Sequence, residues 1–222
     1  AFIMAFLKTH YRHDPHFAGT AGVFTIHNLS YQGRFSPTNV MVYSGFGMKE
    51  FAPTSNFEFY GDVNFMKVGI MFADKITTVS PTYAKEIKYD YYGEGLQGVL
   101  ESRSNDLIGI LNGVYYDEWN PETDKALSVQ YSPETLFNKT EVKRKFLYEY
   151  GLTESDNLDM PVIGLVSRLV EQKGIDLIQN IIEAYINYGF FRFVMLGSGD
   201  RHYEDYFNYL QWKYPKKALI NL

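Results

Sequence analysis

The chain has 222 residues, 21 basic against 26 acidic side chains, and no cysteine. A net charge of −5 and a pI near 5.6 speak against a nucleic-acid binder, which would carry a basic face. Zero cysteines exclude a disulfide scaffold, a thiol nucleophile and zinc sites built on cysteine, and they fit a reducing compartment. No run approaches the ~18 consecutive apolar residues of a membrane span.

In chain order, the opening AFIMAFL is apolar, short and without a basic leader, which makes it a poor signal peptide and a good helix. The runs AGVFTIHN, DKITTVS, LIGILNG, PVIGLVSR, FRFVMLGSG and the closing KALINL read as buried strands, apolar on both faces and ending in Gly, Asn, Ser or Arg. Helical patterns lie between them, at residues 65–73, 81–88, 133–150, 174–188 and 202–214. Ser80 before Pro81, and Ser132 before Pro133, are N-cap signals. Gly151 and Gly189 stand where helices end in left-handed geometry. Strand alternating with helix means parallel sheets with crossover helices, an α/β fold. The polar stretch YYDEWNPETDK at 115–125 reads as the boundary between two domains, 1–118 and 119–222, and 155–159 as a second polar loop. A chain that starts inside a helix, without Met, and stops in a strand reads as part of something longer.

In open parallel sheets ligands bind beyond the carboxyl ends of the strands, so the residues there carry the candidate chemistry. Arg168 leaves one strand and Lys173 precedes Gly174, where a helix begins. Two cations with free amides at a helix N-terminus suit a diphosphate, the Arg as a fork and the Lys as a point charge. The alternative is that Arg168 pairs with Glu171 and Lys173 is merely solvated. Gly197 and Gly199 in LGSGD allow close backbone approach, yet His202 stands where a dinucleotide fingerprint wants a third glycine. A plain strand-to-helix turn capped by Ser198 or Asp200 is the better reading of this segment by itself. His27 and Asn28 close another strand, ahead of Tyr31, Gln32 and Gly33. His27 is either a core histidine or a polar group at a sugar site. The loop YGEGLQG, 92–98, reads as a flexible glycine-rich loop lining a cleft or as a surface turn. His10, His13 and His16 have metal-like spacing, but Pro15 breaks the helix that would align them. There is no Asp-x-Asp clamp, no Gly-x-Ser-x-Gly elbow and no Gly-Lys-Ser/Thr phosphate loop.

The segments FTIHNLSYQGRF, ADKITTVSPTYAKEI, YGEGLQGVL, ILNGVYYDEWNPETD, VSRLVEQKGIDLI and LGSGD occur in the order found in bacterial glycogen synthases and plant starch synthases, which this chain resembles over nearly its whole length. The resemblance implies parts of two Rossmann-like domains of a GT-B glycosyltransferase facing each other across a cleft. It implies retaining transfer of glucose from ADP-glucose to the non-reducing 4-hydroxyl of an α-1,4-glucan, with no metal and no further cofactor, in the cytoplasm or, in a plant, a plastid. Arg168 and Lys173 match the cations on the donor diphosphate, and His27 matches the histidine at the transferred glucose. Asn28 would support the strand-end turn, Asn112 matches a hinge asparagine, and Gly197 and Gly199 would lie against the nucleotide. The family's Lys-Thr-Gly-Gly-Leu and Arg-Phe-Glu-Pro-Cys-Gly-Leu motifs are absent, so the 222 residues alone are expected to be inactive and to self-associate. Two other readings stand beside this one, a UDP-glucose-using GT-B relative and a non-catalytic glucan-binding module whose tyrosines stack on sugar rings.

Overall fold

A computed structural model describes residues 1–152 and 159–222, so of the polar loop expected at 155–159 only Asp159 is among the described residues. The chain divides into two compact units, Ala1–Val114 and Tyr115–Leu222; the division falls at the start of the polar stretch 115–125.

The first unit runs α1 (Phe2–Lys8), β1 (Val23–Ile26), β2 (Arg34–Phe35), α2 (Pro37–Ser44), β3 (Glu58–Phe59), β4 (Asp62–Asn64), α3 (Phe65–Phe72), β5 (Lys75–Thr78), α4 (Pro81–Glu86), α5 (Gln97–Ser102) and β6 (Leu107–Gly109). Strands β1, β5 and β6 form a parallel sheet in that order, with Thr25 opposite Thr77 and Thr77 opposite Ile108. Ile26 and Ile76 are fully buried among Ile70 of α3, Ile87 and Leu100 of α5. The runs had read as buried on both faces, but Val23, Thr25 and Ile108 are exposed, because these packed helical residues meet the Ile26–Ile76 face. A second, antiparallel sheet of order β2-β4-β3 has strands of two or three residues, too short to announce themselves in the sequence. Arg103 ties α3 to this frame: its guanidinium donates to the carbonyls of Ile70, Met71 and Ala73 at the helix end, and to Asp106.

Asp74 joins α1 to the start of β1. Its carboxylate accepts from Lys8 Nζ at 2.6 Å and from the Gly22 amide at 2.7 Å, and these two contacts hold its pKa below the ordinary carboxylate value. A folded pKa below the unfolded one contributes stability above about pH 4, lost as pH falls through the folded value. Thermal unfolding followed from pH 6 to pH 3 is therefore expected to fall less steeply for Asp74→Asn than for the parent. Because the pair is partly solvated, the loss in Asp74→Asn at pH 6 is about 1 kcal/mol.

The second unit runs α6 (Asn138–Glu149), β7 (Val162–Val166), α7 (Ile175–Tyr188), β8 (Arg192–Leu196), α8 (Arg201–Lys213) and β9 (Ala218–Asn221). Its sheet is parallel in the order β7-β8-β9. Phe193, Met195, Ala218 and Ile220 pack against Ile175, Ile182 and Ile186 of α7 and Tyr203, Phe207 and Leu210 of α8. Helix α6 starts at Asn138 rather than at 133: the Ser132 hydroxyl accepts from the Glu134 and Thr135 amides, and the chain reaches the helix through tighter turns, with the Asn138 amide bonded to Thr135 O and the Lys139 amide to Leu136 O. Gly174 and Gly189 bracket α7 in left-handed geometry, with φ of 68° and 74°.

Candidate active-site residues

In the first unit, parallel pairing brings the carboxyl ends of β1, β5 and β6 to one sheet edge. His27 follows β1 directly with an exposed side chain, and Asn112 follows β6, also exposed. Asn28 shapes the turn after β1, its Oδ1 accepting from the Ser30 amide at 3.0 Å. Ser80 caps α4, accepting from the Thr82 and Tyr83 amides. The Tyr83 hydroxyl of the same helix accepts from the Leu29 amide at 3.2 Å, so α4 also steadies the turn beside His27.

The residues that hold this turn were mostly missed in the sequence. The loop at 92–98, read as either a flexible cleft loop or a surface turn, is tied down. Glu94 sits at φ 50° and its carboxylate accepts from Ser30 Oγ at 3.0 Å, while its carbonyl accepts from Gln32 Nε2 at 2.8 Å. Gln32 Oε1 accepts in turn from the fully buried Asn64 Nδ2 at 2.6 Å, and Asn64 caps α3 through the Lys67 amide. A non-glycine residue at positive φ costs free energy, so these bonds hold Glu94 where it is. The only local sign of it is a glutamate between two glycines.

In the second unit the strand ends are laced together beyond the sheet. Leu169 N donates to Ser198 O at 2.9 Å and Asp200 N to Leu169 O at 2.8 Å, making a parallel bridge between Leu169 and Gly199. A Cβ on Gly197 would lie 1.9 Å from Ser167 O, and one on Gly199 would lie 2.2 Å from Leu169 O. Both glycines are thus required by the approach of the two turns to each other. Their amides are also engaged, Gly197 with Asn221 O and Gly199 with Glu204 Oε1. The expected Ser198 or Asp200 side chain does not cap α8, whose first amides have no side-chain cap; Glu204, one turn inside the helix, instead reaches back to the Gly199 amide that precedes it.

Between the paired Ser167 and Leu169, Arg168 points away and is exposed, as alternation along an extended chain requires. Lys173 ends a 3-10 turn, Glu171–Lys173, and α7 follows with no side chain capping its first amides. Among the described residues neither Arg168 nor Lys173 makes an ion pair, so the Arg168–Glu171 alternative is not realised. Two unneutralised cations and the positive end of a helix suit an anion with more than one charge.

Elsewhere, no group of three or more His, Asp or Glu is gathered for a metal among the described residues. His10 packs edge-on against Phe6 and Phe46, and His16 against Phe17. No described helix is long and apolar enough to cross a membrane.

Comparison with known proteins agrees with the fold. Residues 1–102 match the family described as the starch synthase catalytic domain. Over 220 residues, 99% of this chain and 44% of the relative, the chain is 47% identical to the glycogen synthase of Pseudothermotoga lettingae. It is 46% identical to that of Clostridium novyi, over all of this chain and 46% of the relative. The catalytic domain of starch synthase IV from Arabidopsis thaliana, solved bound to ADP and acarbose, superposes with a TM-score of 0.88 at 31% identity, over all of this chain and 45% of that one. The chain spans about half the length of the curated relatives it matches. With both parallel sheets, the order of the motifs and the fold of the whole chain in agreement, these 222 residues resemble glycogen synthases and starch synthases along their whole length and have the fold of part of a GT-B glycosyltransferase.

Proposed function

We propose that a protein carrying this segment transfers glucose from ADP-glucose to the non-reducing 4-hydroxyl of an α-1,4-glucan with retention of configuration, and needs no metal for it. The observation that carries the reading is the pair of exposed, unneutralised cations Arg168 and Lys173 at the strand end and helix start of the second unit. The likeness to a starch synthase solved with ADP supports it.

In this reading Arg168 forks onto the diphosphate and Lys173 adds a point charge. Both stabilise the negative charge that grows on the departing ADP. Gly197 and Gly199 contribute by letting the two turns close up and present Arg168. His27 contacts the transferred glucose near its reacting carbon, Asn28 sets the turn that presents His27, and Asn112 contributes a polar contact beyond β6. No group is asked to store a covalent intermediate; stabilising charge at an oxocarbenium-like centre is the main demand.

The test is transfer of labelled glucose to glycogen by a protein that has this segment and the relatives' full length, with ADP-glucose and UDP-glucose in parallel. Transfer from ADP-glucose is expected. Activity only with UDP-glucose would move the assignment to a UDP-glucose-using relative. His27→Ala is expected to lower kcat about 10- to 100-fold, as for loss of one contact made in the transition state, with donor KM little changed. The 222-residue chain by itself is expected to bind ADP without elongating glycogen.

A further inference from the structure

The sequence holds a single Asn-Gly pair, Asn112-Gly113, and the fold leaves it in the open just past β6. The strand ladder ends where the Ile110 amide donates to Thr78 O at 2.7 Å. From Leu111 to Val114 every residue is exposed. Among the described residues no hydrogen bond engages the Asn112 side chain or the Gly113 amide. A Cβ built on Gly113 would meet nothing within 4 Å, so no neighbouring element crowds the link. Other asparagines show what protects a side-chain amide. Asn28 Oδ1 is bonded to the Ser30 amide. Asn64 is fully buried with both side-chain polar atoms bonded. The Phe57 amide, which follows Asn56, is tied to Ser55 Oγ at 3.3 Å. Asn120 precedes Pro121, whose nitrogen carries no hydrogen.

We propose that Asn112 is a site of spontaneous deamidation, and that its products no longer serve glucose transfer. The Gly113 nitrogen gives up its proton to base and attacks the carbonyl carbon of the Asn112 side chain. A C–N bond closes a cyclic imide, and the bond to the side-chain nitrogen breaks, releasing ammonia as that nitrogen takes up the proton. Water then opens the imide at one of its two carbonyls. One opening leaves aspartate in an ordinary main chain. The other leaves isoaspartate, which carries the side-chain methylene within the main chain. One water is consumed and one ammonia released, and nothing is oxidised or reduced. Glycine favours the attack, because a residue without Cβ lets its nitrogen approach the preceding side chain. Asparagine both donates and accepts hydrogen bonds, whereas ionised aspartate only accepts, and isoaspartate also displaces the residues that follow. The loss of transfer rests on the reading of Asn112 as a site residue; the bond chemistry does not.

The test incubates the 222-residue chain in neutral buffer, folded or unfolded in guanidinium chloride, and follows the peptide carrying residue 112 by mass spectrometry. Methyl transfer by an isoaspartyl methyltransferase measures the isoaspartate formed. Asn112 is expected to be the first asparagine converted, at a folded-state rate within about tenfold of the unfolded one, a barrier raised by no more than about 1.4 kcal/mol. Gly113→Ala is expected to slow conversion at least about tenfold with thermal unfolding unchanged, since its Cβ meets nothing. Stronger protection by the fold, or conversion untouched in Gly113→Ala, would overturn the site. In a protein with this segment and the relatives' full length, transfer is expected to fall in step with the converted fraction. Asn112→Asp is expected to lower kcat/KM about 3- to 10-fold, as for one lost hydrogen bond. Full activity in Asn112→Asp and in the converted protein would overturn the loss of transfer. Fresh, unconverted protein that transfers nothing would overturn the donor reading and the loss of transfer together, while the mass change alone decides the site.

Discussion

Arg168→Ala combined with Lys173→Ala is expected to weaken ADP binding about 10³-fold while leaving the unit as stable as before. Each cation supplies a hydrogen bond to a charged group, worth about 1.5–3 kcal/mol, and a tenfold change in affinity corresponds to about 1.4 kcal/mol. Arg168→Ala alone accounts for the larger part, since the guanidinium fork makes two parallel bonds where the ammonium makes one. Arg168→Lys is expected to recover only part of the affinity, because it restores the charge and not the fork. The stability half of the expectation follows from the surroundings. Both side chains are exposed and, among the described residues, unpaired, so their removal leaves no orphaned partner and costs within about 0.5 kcal/mol. Raised ionic strength is expected to weaken ADP binding by the parent more than by the double variant. Calorimetric titration with ADP at two salt concentrations, beside thermal unfolding, measures both. An ADP affinity unchanged in the double variant would remove the basis for placing the diphosphate here.

The residues of that prediction were legible in the sequence for a simple reason: a parallel strand announces itself as a short apolar run, and the ligand side of the sheet is wherever such runs stop. Arg168 and Lys173 follow from the end of PVIGLVSR and the glycine before α7, and His27 follows from the end of VFTI. The short strands β2, β3 and β4 were not legible. They have two or three residues each, and Arg34 pairs with Asn64 and Glu58 with Val63 through contacts that no local pattern encodes. Glu94 was illegible as a support for the same reason. Its partners Ser30 and Gln32 lie more than 60 residues away in the chain, so its role exists only once the fold has formed. Ser132 misled in the opposite direction. A serine before proline and glutamate is a cap signal whichever structure follows, and here it opens a run of turns that becomes α6 only at Asn138. The faces of the strands were misjudged too, since apolar residues such as Val23 and Ile108 say nothing about whether a helix lies over them.

Gly197 and Gly199 show how one pattern admits two physical causes, and substituting them separates the causes. If the glycines serve the approach of the two turns, alanine at either position must collide with backbone, 1.9 Å from Ser167 O or 2.2 Å from Leu169 O. Neither oxygen can swing aside as a side chain would, because the Leu169 amide is bonded to Ser198 O, Leu169 O accepts from the Asp200 amide, and the Ser167 amide is bonded to Leu196 O. Gly197→Ala and Gly199→Ala are therefore each expected to destabilise the second unit by about 3 kcal/mol or more, at the upper end of overpacking effects. Gly164→Ala on β7 provides the comparison: nothing lies within 4 Å of a Cβ there, so its cost stays within about 0.5 kcal/mol. Both tryptophans, Trp119 and Trp212, belong to the second unit, so denaturant unfolding followed by their fluorescence reports on that unit alone. The alternative cause, a glycine that makes room only for a nucleotide, predicts the reverse: Gly199→Ala would unfold with the parent and fail to bind ADP. Loss of stability first, with ADP affinity falling as a consequence in proportion to the folded fraction, would instead place these glycines in the scaffold that presents Arg168.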